Sequence, residues 1–483
     1  MNESSSLDPR RREDGPVLWP RIVMIGCLLY VLIAILLGPR GSKSPDPAGT
    51  TNETSSGRAD SDASTGSPLP RGRMFAVKSP APAQTAEEIV ASKVSQYARS
   101  RREVVNRMAR HYKVKVPEDV KAFFDAVEAN RWDELHALFK SISARHQAIP
   151  PDREVDAIWP AILDTFGAAQ QAHDWPAQKF LDYGQAVLDS LRPGMVYLGG
   201  TDSGRWVPAL MNTSEGERHV VITQNALMDE RYLEYIGFLY GDRLGTLVPD
   251  DARAARQAYL DDARKRLEHD QQFPNEPRQV RPGENIRFSD GAGETGFGDG
   301  QVQASGMNSV MAVNEFLLQR LLQKNPDLAF AFEESYPMKS MFPEATTAGP
   351  IMELRVSEEQ SALTRERAAQ SVEYWRAMTQ QLMADPDFTQ SHHARASYSK
   401  LVSSQAGLLL ERNFPAEAEQ AFRFANELCP SSPEAVYRYV NWLVAQSRIQ
   451  DALPVAEAAV RADVNHQHQY RGLVAELRRM SAR

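Results

Sequence analysis

The apolar positions of this chain change their spacing several times, and each change marks a segment. Ile22 to Leu37 (IVMIGCLLYVLIAILL) is sixteen residues without a charge. As a helix it spans ~24 Å, a little short of the ~30 Å hydrocarbon core. Val17 and Leu18 lengthen it, and Trp19 and Arg21 flank its start as interface residues do. A cleaved signal peptide has a similar outline, but the exit LLGPRGSKS lacks an A-x-A-like site and carries Pro39 where cleavage is expected. The pattern therefore predicts a cytoplasmic tail over 1–16 and a transmembrane helix over 17–37. Arg10, Arg11, Arg12 and Arg21 precede the span while Arg40 and Lys43 follow it, which places the N-terminus inside and the bulk outside the cytoplasm. The expected location is a single-pass inner (cytoplasmic) membrane.

A tether follows. Of the 36 residues Gly38–Arg73, 22 are Gly, Pro, Ser or Thr, and Leu69 is the one large apolar residue. Such a stretch cannot bury enough apolar area to offset its ordering entropy, so 38–84 is expected to be a disordered linker. Its first 36 residues have an r.m.s. reach of about 33 Å.

From Thr85 the spacing becomes helical. Thr85 and Glu88 stand at capping-box separation, ahead of Ile89, Val90, Val94 and Tyr97. Phe123, Phe124 and Val127 form one stripe and Trp132, Leu135, Leu138 and Phe139 another, with a break at Ala129–Arg131 that predicts a helical hairpin. Helical spacing continues to Leu191, giving a helical region over 85–192. His136 and His173 have no ligand partners at short spacing and read as structural or surface histidines.

At Pro193 the period shortens. PGMVYLGG reads as a buried strand, TDSGRWVPALM as a capped helix, and RHVVITQNAL as a second β-branched strand leading to the helix RYLEYIGFLYG. This is a βαβ pattern, with a loop at the carboxyl end of its first strand. The loop residues Thr201, Asp202, Ser203 and Arg205 are candidate ligand-binding residues at a helix N-terminus. The competing reading is an Asp or Thr cap with glycine relieving the turn. Asp-Ser-Gly also occurs in serine-protease nucleophile loops, but here it enters a helix. Asp290 to Gly306 holds six glycines and matches no EF-hand spacing, so a surface loop is expected. Leu328–Phe332 and Gly349–Leu354 predict further strands, and 193–354 reads as one mixed α/β domain.

PGMVYLGGTDSGRWVPALM and GERHVVITQNALMDERYLEYI resemble a region of uncharacterised bacterial membrane-anchored proteins that carry tetratricopeptide repeats. More distantly, 193–354 is similar to the soluble tails of multi-pass glycosyltransferase-like membrane proteins. The resemblance implies no catalytic residue here, because this chain has one apolar span rather than the multi-pass domain those transferases use.

From Ser397 a 34-residue period appears: Ala418, Phe422, Ala425 and Pro430 are followed one period later by Ala452, Ala456, Ala459 and Val464, and Ala406 by Val440. This resembles the tetratricopeptide repeat, whose small residues let paired helices pack closely. The region 355–483 is thus expected to be helical and repeat-like, with Tyr437, Tyr439 and Trp442 as candidate protein-binding residues in a peptide groove and core packing between helices as the competing role. The pairs His466/His468 and His392/His393 lack the carboxylate or cysteine company of a metal site.

The chain has 483 residues, room for two or three domains, and its 42% hydrophobic content supports a real core. Acids exceed bases by 63 − 55 = 8, which argues against nucleic acid as a partner. Cys27 falls in the apolar span and Cys429 in the repeat region, so no internal disulfide is expected. The expected class is α+β, mostly helical. The leading functional expectation is a non-catalytic scaffold, with no cofactor or metal, bound to membrane lipid by one helix and to an unknown protein by its repeats. The alternative is an accessory factor or enzyme of glycan or surface-polymer metabolism using the Gly199–Gly204 loop.

Overall fold

The computed structural model describes residues 84–200, 202–281, 284–288, 297–298, 302–333, 339–354, 363–462 and 467–482. The expected tail, membrane helix and nearly all of the linker lie outside these residues, as do Thr201, Val464 and His466. None of the described helices is long and apolar enough to cross a membrane. The described chain is mostly helical with a small sheet, as the α+β expectation required.

Five helices lead. α1 (Ala86–Tyr112) starts at the capping box: Glu88 N–H donates to Thr85 Oγ1 over 3.2 Å and Thr85 N–H to Glu88 Oε2 over 3.0 Å. α2 (Glu118–Glu128) and α3 (Trp132–Gln147) form the expected hairpin, turning at Asn130 with φ 52°. α4 (Arg153–Asp174), capped by Asp152, is buried along most of its length, and α5 (Ala177–Asp189) follows.

β1 (Val196–Gly199), α6 (Ser203–Ser214) and β2 (Val220–Thr223) make a parallel βαβ unit. VYLG and VVIT are continuous apolar runs because both strands are buried throughout. α6 packs against α4 closely enough that a Cβ at Gly167 would lie 2.1 Å from the Trp206 ring, so only glycine fits there. The chain continues through α7 (Glu230–Tyr240), α8 (Pro249–Gln272), β3 (Asn285–Phe288), β4 (Phe297–Gly298), β5 (Val302–Ser305) and α9 (Met307–Lys324) to β6 (Phe330–Phe332). β7 (Ala345–Ala348) and β8 (Ile351–Leu354) complete a mixed sheet ordered β2-β1-β6-β8-β7. β1 runs parallel to β2 and β6, while β8 is antiparallel to β6 and β7.

The glycine-rich stretch is more than a loop. β4 and β5 come from it and join β3 in a separate antiparallel sheet, with Val302 and Ala304 fully buried. Alternation of those buried residues with half-buried Gln303 and Ser305 is a two-residue period too short to stand out among the glycines.

α10 (Arg365–Met383), α11 (Pro386–Gln390), α12 (His392–Glu411), α13 (Pro415–Leu428), α14 (Pro433–Ala445), α15 (Ile449–Ala462) and α16 (Gln467–Ser481) close the chain. α13 and α15 are offset by 34 residues at both ends, and α14 and α16 begin 34 residues apart. One continuous apolar core runs from Val90 to Leu477.

Candidate functional site

The chain leaves β1 toward β2 on one side and returns at β6 on the other, so the strand order reverses between β1 and β6. In open α/β sheets the crevice at such a point, beyond the carboxyl ends of the strands, is where ligands sit. Two carboxylates stand there. Asp202 follows β1 and caps α6, its Oδ1 accepting from Gly204 N–H over 3.0 Å. Glu333 follows β6 directly, its N–H continuing the ladder to Leu198 C=O over 3.0 Å and its Oε2 accepting from Gly200 N–H over 3.4 Å.

The third charge comes from the C-terminal helices. Lys400 of α12 donates through Nζ to Asp202 Oδ2 at 2.5 Å and to Glu333 Oε1 at 2.8 Å. The Lys400 and Glu333 side chains are 6% and 1% exposed, whereas that of Asp202 is 47% exposed. One turn earlier on α12, Ser397 Oγ lies 2.8 Å from Ser203 Oγ. The Glu333 carboxylate lies over Gly204: a Cβ at 204 would be 1.3 Å from Oε2, so the approach requires glycine. Tyr197 OH donates to Gly204 C=O over 2.8 Å and fixes the first turn of α6 from below.

The charges set one another's proton affinity. Desolvation pushes Asp202 up, but the Lys400 ammonium and the Gly204 N–H outweigh it and hold the carboxyl below its usual range. For Glu333, burial dominates, and the Asp202 charge adds to it, so its pKa is raised despite Lys400. Burial alone would lower Lys400, yet the two carboxylates raise it. Of the two acidic members of the triad, burial and the neighbouring charge set Glu333 above its usual range and Lys400 sets Asp202 below it. Tyr183, packed edge-on against Tyr398 at 5.2 Å, is also buried near Glu333, and its hydroxyl has no hydrogen-bond partner among the described residues.

The candidate loop residues separate. Asp202 and Ser203 share the crevice, while Thr201 lies outside the described residues. Arg205 turns into a second buried network, with Nη2 3.3 Å from Asp164 Oδ1. Asp164 Oδ2 accepts from Tyr97 OH at 2.6 Å, Tyr235 OH at 2.7 Å and Arg101 Nε at 3.3 Å, tying α1, α4, α6 and α7 together. Burial raises the Asp164 pKa, but Arg205 and Arg101 overrule it and leave it lowered.

Of the aromatic candidates, Tyr439 and Trp442 stack on each other at 6.1 Å, while Tyr437 stands apart. Tyr439 is buried and stacks on Phe422 at 5.5 Å, Trp442 is half-buried beneath the Arg448 guanidinium, and Tyr437 faces Tyr470 of α16. Among the described residues, no group of three or more His, Cys, Asp or Glu side chains is placed to hold a metal.

Glu333 and Lys400 were not among the sequence candidates, although each leaves a trace. Lys400 is the one charge between Arg395 and Glu411 in a helix of small and apolar residues, and Glu333 ends the apolar run Leu328–Phe332. Comparisons with protein-family models, with curated proteins and with solved structures find no match to this chain.

Proposed function

We propose that this protein is a membrane-tethered, non-catalytic scaffold whose C-terminal helices are a tetratricopeptide-like array that binds a protein partner. The observation that carries this reading is Lys400. At the carboxyl ends of β1 and β6, Asp202 and Glu333 are both engaged by a lysine from α12. That tie fixes the helical array to the sheet. The array reading is supported by the 34-residue offsets of α13–α16 and by burial of Ala406, Ala418, Ala425, Val440, Ala452 and Ala459 at the helix contacts. The tether reading rests on the uncharged run Ile22–Leu37 and the Gly-, Pro- and Ser-rich stretch after it.

The test is site-specific photocross-linking of the full chain in its own membrane, with the probe on the half-buried face of α14 at Trp442. A single discrete protein adduct, abolished by Arg448→Glu beside the probe, is expected. Absence of any protein adduct, or turnover of a defined substrate that requires Asp202, overturns the reading.

A glycan-binding role is the second reading. It is favoured by the half-exposed Asp202 carboxylate, the adjacent Ser203 and Ser397 hydroxyls, and the unpartnered Tyr183 hydroxyl. Carboxylates and hydroxyls suit sugar hydroxyls and disfavour a bare phosphate.

A further inference from the structure

Away from the triad, a groove of about 400 Å³ opens between the start of α1, the start of α3 and the α4–α5 turn. Its walls are mostly apolar and aromatic: Val90, Val94, Leu135 and Ala169, with Trp132 and Trp175. Trp132 stacks face to face on His173 at 4.1 Å with a 10° interplanar angle, which makes a flat wall. Ligand clefts fall in this size range and share such a lining. One polar feature of the groove points to the kind of occupant: Glu87 is the one charged side chain in the lining, and it is exposed. The groove therefore matches an apolar or aromatic segment that brings a positive charge.

That segment is encoded immediately upstream. Met74-Phe75-Ala76-Val77-Lys78 is the one cluster of large apolar residues between the end of the apolar run at Leu37 and the start of α1, and Lys78 is the one charge between Arg73 and Glu87. The described chain begins at Gln84, three residues before Glu87, and Glu87, Val90, Ala91 and Val94 present successive turns of α1 to the groove. Those turns run about 10 Å at 1.5 Å per residue. The six steps from Lys78 to Gln84 reach up to about 20 Å, enough for the chain to double back along α1. Pro80 and Pro82 oppose continuation of the helix backward through this stretch. A segment held by so short a connection has an effective concentration on the order of millimolar, so weak contacts suffice to fill the groove.

We propose that Met74–Lys78 of this same chain docks in the Trp132–Trp175 groove, with Phe75 against the Trp132–His173 stack and Lys78 toward Glu87. Docking takes up slack at the body end of the tether, and release lengthens the reach of the body from its attachment by the residues freed. This inference does not depend on whether the C-terminal helices bind a partner.

The test places a benzophenone-bearing phenylalanine at Phe75 in the full chain and, as a control, at Leu69. Irradiation at position 75 is expected to give an intramolecular adduct within 130–135 or 169–177, located by peptide mass spectrometry, with at least tenfold less from position 69. Ala91→Arg, which fills the groove from the half-buried face of α1 and repels Lys78, is expected to reduce the adduct at least tenfold while leaving the thermal unfolding midpoint of the body in place. A Phe75→Asp chain, probed by hydrogen exchange, is expected to lose protection at 86–94 relative to wild type. Adducts to another protein, to lipid, to a second copy or elsewhere on the body overturn the proposal, as does the absence of any adduct or one that Ala91→Arg leaves unchanged.

Discussion

Replacing Lys400 with Met removes the ammonium but keeps most of the apolar stem, so it isolates the charge. The two halves of the triad contribute unequally. Asp202 is 47% exposed, and its pair with Lys400 resembles a surface ion pair, contributing about 0–1 kcal/mol. Glu333 is 1% exposed, and without Lys400 it is a buried carboxylate facing another carboxylate. Removing one partner from such a buried pair costs about 3–5 kcal/mol. For a body of roughly 400 residues unfolding as one unit, ~2.1 cal/mol/K per residue turns that loss into a fall of about 4–6 °C in Tm. The loss is pH-dependent, with a definite sign. A carboxyl whose folded pKa is raised stabilises the protein below its unfolded value of ~4.3, and that contribution is lost as pH rises through the folded pKa. Losing the ammonium raises Glu333 further, so Lys400→Met should be mild at pH 5 and show its full effect at pH 8. Lys400 itself stays charged in both buffers, because its raised pKa puts any loss above its unfolded value of ~10.4. Scanning calorimetry of wild type, Lys400→Met and Lys400→Met/Glu333→Gln at the two pH values is the assay. Recovery of more than half the loss in the double variant is expected. A loss under ~1 kcal/mol at pH 8, or the same loss at both pH values, would refute the tie between α12 and the sheet.

Further expectations follow from the same geometry. Asp202→Ala removes a helix cap and the exposed half of the triad, and should lower stability by about 1–2 kcal/mol in urea titration. Gly204→Ala places a methyl on the Glu333 carboxylate and should abolish soluble expression, while adding Glu333→Ala should restore a folded chain by circular dichroism. Burial, with Asp156 adding to it, raises Asp229 to about 6 against the pull of the Arg231 and Tyr232 N–H groups. Its contribution is therefore full below its unfolded pKa of ~3.9 and lost as pH rises toward 6, and Asp229→Asn should flatten that part of the stability–pH curve measured by urea midpoints.

Local signals were legible in the sequence where one segment satisfied itself. Thr85 and Glu88 lie three residues apart and bond to each other, so their spacing was enough to place the start of α1. VYLG and VVIT are buried on both faces and read as unbroken apolar strands. Asp202 was legible as a cap because its partner is two residues away. What stayed hidden is long-range. Glu333 and Lys400 lie 131 and 198 residues from Asp202, and no local period encodes that they meet. Arg205 looked like a neighbour of the loop, but each residue turns an α-helix by about 100°, and this carries its side chain from the crevice toward Asp164. Tyr439 looked like a binding residue because aromatic side chains serve cores and interfaces equally well; Phe422, one helix earlier, decides for the core.

The most direct test of the central claim, that the crevice at β1 and β6 holds a structural tie rather than a ligand, is thermal unfolding of the full chain against a panel of glycans, sugar nucleotides, inorganic phosphate and divalent cations. With Asp202 and Glu333 already engaged by Lys400, no concentration-dependent rise in Tm is expected with any of them, for wild type or Asp202→Ala. A saturable rise with one compound, present in wild type and absent in Asp202→Ala, would contradict it.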